Sequence, residues 1–100
     1  MTVRFRPEAQ AELLEAARWY EDRESGLGQS LIAEIDATLA RIEGGEHRYR
    51  NVYRQMRRAL VRKFPYAVYF IEADDGLVVM GVIHQRRDTT IVYSRLDDSD

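Results

Sequence analysis

His84, Arg58, Arg62, Arg87 and Tyr93 are the side chains of this chain whose types can act together on a phosphodiester. RNA can be cleaved without a metal when a base takes the proton of a 2′-hydroxyl, cations stabilise the charge growing on phosphorus, and an acid protonates the departing oxygen. One imidazole, three guanidiniums and one phenol offer those capacities. Composition alone carries this set, and a lone histidine at a strand end is more often structural than catalytic. A denser group of cations surrounds it. Arg57, Arg58, Arg62 and Lys63 fall close together, Arg86 and Arg87 follow His84 after one residue, and Arg95 lies a little further on. This second set reads as a surface for an anionic partner, because the arginine fork pairs bidentately with phosphate or carboxylate.

Other chemistries lack their residues. There is no cysteine, which excludes disulfides and thiolate metal sites. His47 and His84 stand far apart, and neither belongs to a metal-binding pair of histidines. Gly26 and Gly28 lie between two helical patterns, not after a strand, so they do not form a phosphate-cradling loop. No metal and no cofactor are expected.

Charge is segregated along the chain. Residues 1–46 carry five Arg against ten Asp/Glu, whereas residues 47–96 carry nine Arg and one Lys against four Asp/Glu. The net charge of −2 therefore hides a basic second half. One hundred residues suffice for one domain with its own core, expected over 1–96, with 97–100 as a disordered acidic tail. The first residues have no apolar signal core, and no run approaches the roughly 20 apolar residues of a membrane span. A soluble cytoplasmic protein is the default.

The elements that must position the cations are legible in the periodicity. Val3–Phe5 reads as a first strand ended by Pro7, which suits the first turn of a helix. Ala9, Leu13, Ala16 and Tyr20 recur at helical spacing to about Arg23, with Trp19 and Tyr20 expected in the core or in helix packing. Ser25-Gly26-Leu27-Gly28 breaks this helix, Ser25 being the expected cap of the next. Leu31, Ile35, Leu39 and Ile42 form a second apolar stripe that stops at Gly44-Gly45. Strand patterns follow at Tyr53–Phe64, Tyr66–Glu72 and Leu77–His84, with a hairpin turn at 73–76. Residues 89–96 fit either a short helix or another strand. The expected fold is α+β, in the order β-α-α-β-β-β, with a helical hairpin on one face of a small antiparallel sheet. The cations are expected on its opposite face or rim.

Pro7-x4-Glu12-Leu13, Trp19-Tyr20-Glu21, Gly26-Leu27-Gly28, Arg57-Arg58-Ala59-Leu60, Phe64-Pro65-Tyr66, Val68-Tyr69-Phe70 and His84-x-Arg86-Arg87-Asp88 together resemble the RelE/ParE superfamily of bacterial toxins. The resemblance runs from Val3 to Arg95 and implies the same fold. It implies the toxin half of a type II toxin–antitoxin pair, held inactive by a cognate antitoxin encoded beside it. RelE-like members of that superfamily cleave mRNA on the ribosome without metal, and ParE-like members poison DNA gyrase. By the RelE-like scheme, Arg58, Arg62, His84, Arg87 and Tyr93 would be catalytic. Leu60 and Ala67 fall where that scheme has cations, and losing one preorganised charge at such a site removes several kcal/mol of transition-state stabilisation. The incomplete set and the acidic net charge favour the ParE-like reading, in which the chain is not an enzyme. Arg57, Arg58, Arg62, Lys63, Arg86, Arg87 and Arg95 are then the expected contacts for antitoxin or target.

Overall fold

The computed structural model describes residues 2–45 and 48–97. Its elements are β1 (Thr2–Phe5), α1 (Pro7–Arg23), α2 (Leu27–Gly44), β2 (Asn51–Tyr53), β3 (Met56–Leu60), β4 (Tyr66–Ala73), β5 (Gly76–His84) and α3 (Thr90–Asp97). Pro7 opens α1 as expected, and α1 buries Ala9, Ala16 and Ala17. These small side chains let the helix axis come close to its neighbours. The stripe on α2 buries Leu31, Ile35, Leu39 and Ile42, each fully buried aliphatic contributing about 1.5–3 kcal/mol. Both helices cover the sheet face built from Ala59, Val68, Phe70, Leu77, Val79 and Val82.

The cap of α2 is not Ser25. Gly26 holds the cap position at φ 90 without a side-chain bond from its own residue. The carboxylate of Glu21, reaching over from α1, accepts from the Gly26 N–H at 2.9 Å and from the Gly28 N–H at 3.0 Å. Two of the unpaired amides that every helix start leaves open are thereby satisfied across the hairpin. A Cβ on Gly28 would stand 2.5 Å from the Ala17 carbonyl oxygen, so glycine is needed for this approach. Glu21→Ala is expected to lower stability by about 1–2 kcal/mol, the usual loss for a missing cap. Ser25→Ala should stay within about 0.5 kcal/mol. Denaturant midpoints at unchanged slope measure both, and equal effects would contradict this assignment.

The sheet order is β1-β5-β4-β3-β2. The last three pairings are antiparallel, but β1 runs parallel to β5, with Thr2 opposite Gly76 and Phe5 opposite Val79. The sheet is thus mixed, not wholly antiparallel. The stretch expected as one strand at 53–64 is the end of β2, a turn at Arg54 and Gln55 with Arg54 at φ 53, then β3 and a loop before β4. Its imperfect alternation is the trace of that turn. At β5, Phe70 faces Val79 while Tyr69 faces Gly81, leaving Met80 as the extra residue of a bulge.

The face away from the helical hairpin is not open. Met56, Ala67, Tyr69, Met80, Ile83 and Val92 form a second cluster there, with Val92 supplied by α3. Residues 89–96 are therefore chiefly helix. Because both faces are covered, Ala67, Val68, Tyr69 and Phe70 are all buried in succession. Asp88 starts α3: its carboxylate accepts from the Thr90 N–H and hydroxyl, both at 2.9 Å, and these bonds hold its pKa below the ordinary value. Asp97, assigned by sequence to the tail, ends α3 and accepts from the Tyr53 hydroxyl at 2.7 Å. Residues 98–100, and with them the rest of the expected tail, lie outside the described residues, as does His47.

Candidate functional site

Because β1 pairs with β5 only as far as Val79, the rest of β5 has no strand beside it on that side among the described residues. Glu12 of α1 fills the first part of the gap. Its Oε1 accepts from the Val82 N–H at 3.1 Å and from Arg95 Nη1 at 2.9 Å, and its Oε2 accepts from Arg95 Nη2 at 2.8 Å. Arg95 Nη1 also donates to the Met80 carbonyl at 2.9 Å. The two side chains are only 11% and 13% exposed. Hydrogen bonds to Glu12 hold the Arg95 guanidinium even more firmly protonated than usual. The pair clasps α1, β5 and α3 together at the bulge, and Arg95, expected at a binding surface, is an internal group.

Beyond the clasp, α1 and the end of β5 enclose a cleft of about 310 Å³, lined by Glu15, Trp19, Tyr20, Tyr66, His84 and Arg87 among others. Tyr20 supplies the packing expected of the aromatic pair, its ring meeting Phe64 edge-on at 5.0 Å. Trp19 is half exposed, with the Arg23 guanidinium 3.2 Å above its ring, so it belongs to the cleft and not to the core. Burial pushes the Tyr66 hydroxyl up in pKa, helped by Tyr20 and Glu15. His84 Nδ1 accepts from the Arg86 backbone N–H at 3.1 Å, so a neutral ring carries its proton on Nε2. Arg87 Nη1 stands 3.8 Å from Glu12 Oε2.

A separate groove of about 500 Å³ opens at β2 and β3. Arg48, Arg50, Asn51, Arg58, Leu60 and Tyr93 are among its lining residues. The Tyr93 ring stacks on Tyr53 at 4.8 Å and 7° and meets Tyr69 edge-on, so packing fixes it. The groove and the α1/β5 cleft share no lining residue.

The five candidate catalytic residues are thus divided. His84 and Arg87 line the cleft, Arg58 and Tyr93 line the groove, and Arg62 lies exposed in the loop after β3. The wider cationic set does not converge on one patch either. Arg57 donates to Asn51 at 2.9 Å and to Glu72 at 3.1 Å. Lys63, held at φ 71, pairs with Glu34 at 3.4 Å, and Arg86 is exposed on the turn after β5. Arg48 and Arg50 are the groove residues that reading for local clusters misses. Their signal was present: residues 47–71 contain no Asp or Glu.

Among the described residues no helix is long and apolar enough to cross a membrane. A sequence profile described as "ParE toxin of type II toxin-antitoxin system, parDE" matches residues 3–89. Comparison with curated proteins finds no significant match. Among solved structures, the fold is similar to one described as "Chromosomal ParDE TA system from P. aeruginosa", with a TM-score of 0.68 and 12% identity over 84% of this chain and 95% of that one. At so low an identity the structural likeness speaks for the fold, and the sequence profile speaks for the family. With nearly all of β1 through β5 inside the matched span, this chain belongs to the ParE toxin family of type II toxin–antitoxin systems.

Proposed function

We propose that this toxin arrests growth in the cytoplasm by poisoning DNA gyrase, and that its cognate antitoxin silences it by covering exposed apolar surface. The observation that supports a binding poison over a ribosome-dependent endoribonuclease is the division of the RelE-like residues. Metal-free cleavage of RNA needs base, acid and charge stabiliser within hydrogen-bond reach of one phosphate. Here His84 and Arg87 line one depression, and Arg58 and Tyr93 line another. Ala67, at a position where the nuclease scheme has a cation, is fully buried, and Leu60, at another, is an exposed apolar side chain. For the antitoxin, half-exposed Trp19 in the α1/β5 cleft offers an apolar seat of the kind an amphipathic segment fills.

The test is purified gyrase with supercoiled plasmid. The toxin should trap cleaved DNA–enzyme complexes, and adding the antitoxin should abolish the effect. Unchanged supercoiling with no trapped cleavage would overturn the reading. Transcripts cut during translation, with cutting weakened by Arg87→Ala or Tyr93→Phe, would establish the endoribonuclease in its place.

A further inference from the structure

The fold gives seven of its described cations a carboxylate partner within 4.0 Å: Arg4, Arg6, Arg54, Arg57, Lys63, Arg87 and Arg95. Eight arginines have no such partner among the described residues, and Arg48, Arg50 and Arg58 are three of them. None of the three makes a side-chain hydrogen bond or ion pair with a described residue, yet all three line the groove at β2 and β3, where no Asp or Glu stands among the described lining residues. In a chain with seventeen acidic residues, a depression kept free of them concentrates positive potential despite the negative net charge.

The neutral groups of the groove point the same way. Asn51 has its Oδ1 engaged by Arg57 Nε at 2.9 Å, which leaves its amide N–H2 to donate. The Tyr93 hydroxyl has no partner among the described residues. Exposed Leu60 supplies an apolar patch. Three guanidiniums and an amide N–H2 donate, and the Tyr93 hydroxyl can donate or accept, so the side chains of the groove offer few acceptors. A peptide, even an acidic one, brings its own N–H donors and needs acceptors in return. A nucleic-acid backbone presents acceptors only along its phosphates, with sugar faces between them.

We propose that this groove binds DNA through its phosphate backbone, without reading base sequence. The choice of DNA over other polyanions rests on the gyrase reading, since a poison that traps cleaved complexes acts on an enzyme while it holds a DNA segment. Arg48, Arg50 and Arg58 neutralise phosphates, and Asn51 and Tyr93 donate to phosphate or sugar oxygens.

Fluorescence anisotropy of a short labelled DNA duplex with the full-length toxin tests this directly. Three neutralised phosphates give a slope of about −2.7 in log affinity against log salt, or roughly a 40-fold loss between about 50 and 200 mM. Arg58→Ala should reduce that slope by about one, and the triple variant Arg48→Ala/Arg50→Ala/Arg58→Ala should lose binding. Arg18→Ala, an exposed and unpaired arginine on α1, should bind as the wild type does. The substituted side chains are exposed, so the melting curves should coincide. Absence of wild-type binding at low salt, or undiminished binding by the triple variant, overturns the proposal. So does a triple variant that loses antitoxin affinity alone. Running the same variants with gyrase separates the two readings. Trapped cleavage that survives the triple substitution removes the groove and keeps the gyrase target, whereas groove-dependent DNA binding with no trapped cleavage does the reverse.

Discussion

Arg95→Ala should lower the stability of this toxin by about 3 kcal/mol, the lower end of the loss expected when one partner of a buried ion pair is removed, because this pair is largely and not fully buried. For a domain of this size that corresponds to a fall of roughly 12–24 °C in melting temperature. The substitution strands the Glu12 carboxylate, 13% exposed, with only the Val82 N–H at 3.1 Å and Arg87 at 3.8 Å left to it. It also unties α3 from the Met80 carbonyl. Glu12→Ala should be as damaging, since it leaves the Arg95 guanidinium without its carboxylate and the Val82 N–H without its acceptor. Combining Glu12→Leu with Arg95→Met removes both charges together and should lose less than the two single losses added, because no buried charge is left alone. Thermal melts of wild type, Glu12→Leu, Arg95→Met and the double variant close the cycle. An Arg95→Ala protein within about 1 kcal/mol of wild type would show that the clasp contributes little.

Gly76→Ala is expected to cost about 3 kcal/mol or more, through backbone strain and overpacking together. Gly76 sits at φ +148, and a Cβ there would land on the backbone of Thr2. The residue starts β5 at the point where β1 enters the sheet, opposite Thr2. Displacing Thr2 would break the bond from its N–H to the Asp75 carbonyl and loosen the pairing that continues to the Arg6 N–H on the Val79 carbonyl, each now 3.0 Å. Amide exchange at Arg6 should accelerate along with the loss of stability. Gly45→Ala is the control: at φ +68 with nothing near its Cβ, it should lose only the backbone preference, about 1–2 kcal/mol. Equal losses at the two glycines would mean that the close approach to Thr2 does not fix the register of β1.

Local signals carried most of the fold. Pro7, the stripe Leu31–Ile35–Leu39–Ile42, Gly45 and the turn at Asp74 and Asp75 each act within a few residues, and each element stands where those signals put it. What they did not carry is non-local. The parallel pairing of β1 with β5 joins residues more than seventy positions apart, and no periodicity in Val3–Phe5 records its partner. Ser25 had the right type and place for a cap, but Glu21 took both amides because the hairpin folded it onto them. Trp19 had helical spacing for the core, yet it falls on the cleft side of α1, where Tyr20 occupies the packing position.

The sequence by itself determined the element types as far as β5, the helical hairpin, the basic character of the second half and the likeness to the RelE/ParE superfamily. Those properties follow from residue type and short-range order. Only the tertiary structure decided which arginines remain available, because pairing depends on carboxylates brought from distant segments: Glu12 reaches Arg95, Glu34 reaches Lys63 and Glu72 reaches Arg57. An ion pair forms where folding places two charges within a few ångströms, and that distance is written in the packing of the helices and strands, not in the order of the chain.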